Sequence, residues 1–289
     1  MPNFDDLLND QLPEAPPMPE QPEFDVEAWA AGKKQQREEL YVLADATALG
    51  VASDPTQFTQ YLEVQARFER YSATNALLVL AQRPDATQLG DLDHWKKQKV
   101  FIKSSEMGNA VLILAPGKEY EREDGSIGTS VDTKRMYDMS QAERPRLQQQ
   151  PRFDERTFAA LKNAAPMKVQ GTDDIDQDAV IENDTIFVQR GMSREETIYA
   201  LAREACRAEH MRQSDSPLAA DFTARAGAFM ICKKYGVDTQ GINLSDAPGH
   251  FDGKEPKDLR NALSHIRKVA GEITGRMAKE LEPRKPEAR

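Results

Sequence analysis

Between Phe58 and Leu80 the chain places mostly apolar side chains at helical spacing, with Phe58, Leu62, Phe68, Leu77, Leu78 and Leu80, and the amide of Gln65 among them, forming one broad face. A face this wide has to be buried against other elements, so the pattern predicts a long helix running from Pro55 into the interior of an α-containing core. Pro84 removes a backbone donor and stops that helix. Beyond Pro84 the apolar period shortens. Val100 to Lys103, Ala110 to Leu114 and Val131 to Tyr137 read as strands around a turn at Glu121 to Ser126, which makes a small antiparallel sheet. The fold class expected is therefore α+β.

A chain of 289 residues has room for two domains. Residues 1–24 combine six prolines with acidic residues and few apolar anchors, the composition of a disordered tail. A helix is expected from Val26 to about Leu49, within a first domain at residues 25–142. Pro145, Pro151 and the glutamines at 148–150 give residues 143–153 linker composition. A second domain is expected over residues 154–280, followed by a charged tail at 281–289. In it Asp154 caps a short helix to Ala164, and short strands follow at Lys168–Gln170, Ala179–Glu182 and Thr185–Gln189. The last two form a hairpin around Asn183 and Asp184. Ser193 and Glu196 make a capping box for a helix through His210; later helices run from about Pro217 to Tyr235 and from about Pro256 to Lys279.

The formal charge is −10, which disfavours indiscriminate attraction to nucleic acid. The acid is unevenly spread. Between Phe58 and Lys103 seven Lys and Arg face five Asp and Glu, so this segment is mildly basic and any binding to phosphates is salt-sensitive. Cys206 and Cys232 are too few for a disulfide framework, and nothing resembles a secretory signal or a membrane span; the expectation is a cytoplasmic protein.

Binding chemistry concentrates between Arg70 and Lys97. Tyr71 and Trp95 offer stacking surfaces, Asn75 and Gln82 amide contacts, and Arg83, Lys96, Lys97 and Lys103 cations for phosphates. Those groups in one stretch point to a single-stranded partner. Tyr71 and Asn75 are expected one turn apart on the same helix face. The competing readings are that Trp95 closes a core, that Tyr71 and Asn75 are packing residues, and that the lysines only solubilise a strand.

The order of these residues also resembles a known family. Tyr71-Ser-Ala-Thr-Asn75, Gln82-Arg-Pro-Asp-Ala-Thr87, Trp95-Lys-Lys97, Ile102-Lys-Ser-Ser-Glu-Met-Gly108 and Ile113-Leu-Ala-Pro116 are similar to the N-terminal domain of ArdC-type antirestriction proteins, over roughly residues 38–140. The resemblance implies a single-stranded-DNA-binding domain in a protein of a conjugative element. One departure is visible: Ser105-Glu106-Met107-Gly108 lacks the lysine of the family's Gly-Glu-Lys-Gly turn.

The segment Thr197 to Arg207 resembles, in order, the metallopeptidase-like domain that comes second in that family. Arg203 and Arg207 stand where its zinc-binding histidines would be, Glu204 is a relic of the general base, and Arg225 replaces the acidic ligand. A guanidinium has no lone pair for a metal, so the reading is a pseudo-peptidase with no metal and no cofactor. The three arginines could neutralise Glu204 or Asp221, capture an anion or an acidic segment such as the chain's own tail, or simply form a solvated helix face. A rival metal site is Cys206 and His210, at i and i+4, completed by Cys232 or His250.

Overall fold

The structure is a computed structural model that describes residues 25–122, 124–146, 152–213 and 218–282. The tail expected at 1–24 and most of the charged tail at the other end lie outside these residues, as do residues 147–151 of the expected linker.

Helix α1 (Val26–Ser53) starts where the Asp25 carboxylate accepts the Ala28 amide, at 2.9 Å. Asp54 comes directly after it and caps α2 (Pro55–Arg67), taking the Thr56 amide at 2.8 Å, with Pro55 preset for a first helical turn. The single helix expected up to Pro84 is in fact two, because the chain breaks after Arg67 and restarts at Ser72, the N-cap of α3 (Ala73–Gln82). Buried Gln65 braces the break. Its amide donates to the carbonyls of Phe68 and Tyr71, at 3.1 and 3.3 Å, and the Phe68 carbonyl also accepts the Tyr71 amide at 2.9 Å. Tyr71 therefore lies in the break and not on the helix that carries Asn75.

Strands β1 (Leu89–Gly90), β2 (Val111–Glu121) and β3 (Ile127–Asp138) form an antiparallel sheet in the order β1-β3-β2. Between β1 and β2 lies the short helix α4 (Leu92–Lys97), capped by Asp91. Gly90 is required there, since a Cβ at that position would meet the Trp95 and His94 rings at 2.9 and 2.4 Å. The strand expected at Val100–Lys103 is reduced to one antiparallel bridge, Ile102 to Ala142.

Helix α5 (Glu155–Ala164), capped by Asp154 as expected, leads to a second sheet. Its strands β4 (Lys168–Thr172), β5 (Ala179–Glu182) and β6 (Thr185–Gln189) are ordered β4-β6-β5, with β4 parallel and β5 antiparallel to β6. Asn183 and Asp184 both have positive φ, 46° and 56°, the backbone a tight two-residue hairpin demands. Helices α6 (Arg194–Met211), α7 (Ala220–Lys234), α8 (Ala247–Phe251) and α9 (Pro256–Leu281) complete the fold. The Ser193/Glu196 capping box is present.

The expected division at 143–153 is not a division of the core. One buried cluster joins Phe58, Leu62, Leu77 and Ile113 to Phe222, Phe229, Phe251, Leu263 and Ile266. Phe58 stacks on Phe222 with ring centroids 5.3 Å apart. Helix α9 serves both halves: Leu259, Leu263 and Ile266 enter this cluster, whereas Val269, Ile273 and Met277 enter the one built by α5, α6 and β6. An amphipathic helix shared in this way ties the halves together through burial of apolar surface. Among the described residues no helix is long and apolar enough to cross a membrane.

Candidate functional site

The residues expected to hold a single strand do not share one surface. Asn75 Nδ2 donates to the Leu114 carbonyl at 2.8 Å and its Oδ1 accepts the Leu114 amide at 2.9 Å. Gln82 repeats the pattern at Leu112, with both bonds at 2.9 Å. β2 is the outer strand of its sheet, so two amide side chains from α3 satisfy the backbone groups an exposed edge would otherwise offer to other chains. The expectation that these amides contact DNA is corrected accordingly: they are engaged with β2. Trp95 is 0% exposed and its indole N–H donates to the Tyr137 carbonyl at 2.9 Å. It closes a small core with Val100, Ile102 and Met139, and no base can reach its face. Tyr71 is half-buried, stacked on Phe68 at 5.4 Å. Burial, and then the charge of Asp91, push its hydroxyl pKa upward. Arg83 lies 3.8 Å from Glu106.

The lysines are different. Lys96, Lys97 and Lys103 are exposed, and among the described residues none of them, nor Lys99, enters an ion pair. Burial alternates from Lys99 to Lys103: Val100 and Ile102 point into the small core, while Lys99, Phe101 and Lys103 face out. Phe101 is 64% exposed. Its carbonyl accepts the Glu143 amide at 2.9 Å, and the Lys103 amide donates to the Gln141 carbonyl at 3.0 Å, so this segment lies alongside residues 141–143. The chain then continues into exposed Arg144 and Arg146. The segments that meet at this pairing, together with the end of α4, carry six exposed cations, Lys96, Lys97, Lys99, Lys103, Arg144 and Arg146, and two exposed carboxylates, Asp93 and Glu143. Phe101, Arg144 and Arg146 lie outside the sequence expectation, whereas Lys99 belongs with Lys96, Lys97 and Lys103 among the lysines that sequence offers to phosphates. A Lys-x-Phe-x-Lys alternation was the available signal for Phe101; the arginines join only through the pairing of 102 with 142.

The second cluster lies on α6 and α7. Arg203 holds Asp178 with both terminal nitrogens, at 2.8 and 2.7 Å, and its Nε donates to Glu204 at 2.8 Å. Arg207 Nε lies 3.0 Å from the other Glu204 oxygen, without the alignment of a hydrogen bond, and its Nη2 donates to Asp221 at 2.8 Å. Arg225 donates to Asp221 at 2.9 Å, to the Asn243 carbonyl at 2.8 Å and to Asp246 at 3.0 and 2.5 Å. Asp246 also lies 3.2 Å from His250 Nε2. The result is an alternating chain of charge, Asp178, Arg203, Glu204, Arg207, Asp221, Arg225 and Asp246. A merely solvated helix face is therefore not what the arginines form. Glu204, 3% exposed, sits between two of them.

Electrostatics tracks the geometry. Burial would raise the Asp178 carboxyl, but Arg203 outweighs it and holds the group below its ordinary pKa; Asp221 is held down in the same way by Arg225 and Arg207. The Arg225 hydrogen bonds bring Asp246 down to about 2, against the opposing effect of burial. For Arg203 and Arg225 the carboxylate partners more than offset burial, and both guanidinium groups are raised. With four carboxylates already paired to three guanidinium groups, an incoming anion or acidic segment finds no unpaired charge here. The cluster does not fit a metal either, since the three side chains at the ligand positions are cations without lone pairs.

The rival metal set is engaged elsewhere. His250 stacks on Phe222 at 4.1 Å, His210 faces His265 across 3.1 Å, and Cys206 and Cys232 are buried. Burial pushes the Cys232 thiol up to about 12 and raises Cys206 as well. Among the described residues no three His, Cys, Asp or Glu side chains are grouped to hold a metal ion.

Fold and surface together define an α+β protein with a basic, aromatic corner and a closed arginine–carboxylate cluster. Two solved structures resemble it: the antirestriction protein ArdC from plasmid R388 in its metal-free form, with TM-score 0.49, 16% identity and coverage of 72% of this chain and 86% of that one, and its Mn(II)-bound form, with TM-score 0.49, 15% identity and 72% and 85% coverage. Similarity at that level carries nothing about activity. Neither a protein-family model nor a curated protein matches the chain.

Proposed function

We propose that the chain binds single-stranded DNA at the corner formed by Lys96, Lys97, Lys99, Phe101, Lys103 and Arg144, and that its C-terminal half is a scaffold without peptidase activity. The observation that carries this reading is the exposure of Phe101 between two unpaired lysines. An aromatic face stacks any base, and flanking cations take the phosphates on either side. Phe101 and Lys103 flank the bridged residue Ile102, while Lys99 approaches from the turn after α4 with φ 57°, so the two lysines lie on either side of the ring in sequence. Among the residues first expected to bind, Lys96, Lys97 and Lys103 remain in the site; Trp95 supports it from below by packing against Val100 and Ile102.

The ordered resemblance of residues 71–116 to ArdC-type proteins supports placing this activity on a conjugative element, in an antirestriction-like role that shields incoming single strands. Loss of peptidase function rests on Arg203, Arg207 and Arg225, whose guanidinium groups cannot hold the zinc that would activate water. Fluorescence anisotropy with labelled oligo(dT) tests the binding. Phe101→Ala should weaken affinity by roughly ten-fold or more, the order expected for one stacked base. Unchanged affinity in a variant that also carries Lys99→Ala and Lys103→Ala would refute the assignment. For the second half, a casein-cleavage assay with added zinc or manganese is expected to show no turnover.

A further inference from the structure

We propose that residues 1–24 act as an internal competitor for the single strand, docking on the same basic corner; the idea rests on reading that corner as the nucleic-acid interface. The segment carries Asp5, Asp6, Asp10, Glu14, Glu20 and Glu23 and no Lys, Arg or His. Its six negative groups are opposite in sign to the cations near Phe101, four of which, Lys96, Lys97, Lys99 and Lys103, are in no ion pair among the described residues. Phe4 directly precedes Asp5 and Asp6, which sets an aromatic ring beside two anions, much as a nucleotide sets a base beside its phosphates.

The other cationic cluster of the fold is a poor destination. Its three guanidinium groups are already held by Asp178, Glu204, Asp221 and Asp246. Reach favours the corner. The segment joins the fold at Asp25, and α1 meets β3 where Gln36 bonds Thr133. From Asp25 along α1 to Gln36, across to Thr133, and along the chain to Ala142 beside Phe101 is at most roughly 60 Å. Twenty-four residues at full extension span roughly 80 Å. Attachment to the same chain raises the effective concentration to the order of millimolar, so contacts too weak to hold two separate molecules suffice here. Such a competitor makes the site respond to ligand length: a short strand replaces few tail contacts, whereas a long one displaces the whole segment.

The test uses the full-length chain with its acids neutralised, Asp5, Asp6 and Asp10 to Asn and Glu14, Glu20 and Glu23 to Gln. A labelled peptide of residues 1–24 should bind this protein saturably at about 50 mM salt and weaken at least ten-fold when Lys99→Glu and Lys103→Glu are added. The neutralised chain should also bind oligo(dT) about ten-fold more tightly than the native chain. No peptide binding, or binding indifferent to the two lysine changes, overturns the proposal, as does equal oligo(dT) affinity of the two chains. If the peptide binds as expected but oligo(dT) binds neither chain, the nucleic-acid reading falls and the docking of the tail stands.

Discussion

Asn75 bridges α3 to the outer edge of β2 through the Leu114 backbone alone, donating to its carbonyl at 2.8 Å and accepting from its amide at 2.9 Å. Removing the side chain leaves both backbone groups without that partner. Asn75→Ala should cost about 1–3 kcal/mol, and Gln82→Ala a similar amount through Leu112. Asn75→Asp keeps the acceptor but loses the donor, so it should fall between native and Ala. Urea denaturation checks the order. Oligo(dT) affinity of the folded variants should not change, because neither amide belongs to the corner; a selective loss of affinity without loss of stability would reverse this assignment.

The charge chain on α6 and α7 makes a different prediction. Arg203→Met strips Asp178 of its bidentate partner and leaves buried Glu204 with Arg207 only. Uncompensated buried charge is expensive, and a loss of about 3 kcal/mol is expected. Adding Glu204→Leu should restore most of it, since removing both members of a buried pair costs far less than removing one. Urea midpoints of the single and double variants decide this. A double variant no more stable than the single one would mean that Arg203 acts mainly through Asp178.

Much of the fold could be read from the chain before its structure. Local chemistry announces itself: Ser193 with Glu196 starts a helix, Asp154 starts another, and Asn183-Asp184 turns a hairpin. The break at Phe68–Ser72 was hidden because the apolar spacing runs straight through it; it is braced by a buried Gln65 whose partners lie three and six residues on. The two halves looked separable because Pro and Gln mark a linker, yet α9 carries apolar residues for both clusters on one face. The site was legible in residue types and not in direction. Asn75, Gln82 and Trp95 are chemically suited to DNA, but only tertiary structure reveals that β2 and the Tyr137 carbonyl take them.

Acid should reach the Asp246 end of the cluster last, and with the largest loss of stability, because its carboxyl is held down furthest. The carboxyl is held down to about 2 in the folded chain, chiefly by the Arg225 hydrogen bonds, whereas an unfolded chain leaves it near its ordinary value of about 4. A depressed folded value contributes stability that is fully present above about pH 4 and is lost as pH falls toward 2. Asp178 and Asp221 shift in the same direction and add to the same slope. Asp246→Asn should therefore lower stability at pH 7 and flatten its decline between pH 4 and 2. Thermal denaturation across that range measures it, and an unaltered slope would show that Asp246 exchanges Arg225 for water at no cost.

Salt provides the sharpest measure of which cations touch phosphate. Each phosphate neutralised on a single strand adds about 0.7 to the slope of log affinity against log salt. If Lys99 and Lys103 flank a base stacked on Phe101, replacing both by Ala should reduce the slope by about 1.4. Phe101→Ala should instead weaken binding equally at every salt concentration, since stacking releases no counterions. Arg225→Gln serves as the control: its guanidinium is committed to Asp221 and Asp246, so the slope should not move. Anisotropy titrations from about 50 to 200 mM salt separate the three outcomes. A reduced slope in the Arg225 variant, with the lysine variant unchanged, would transfer the strand from the corner to the arginine cluster.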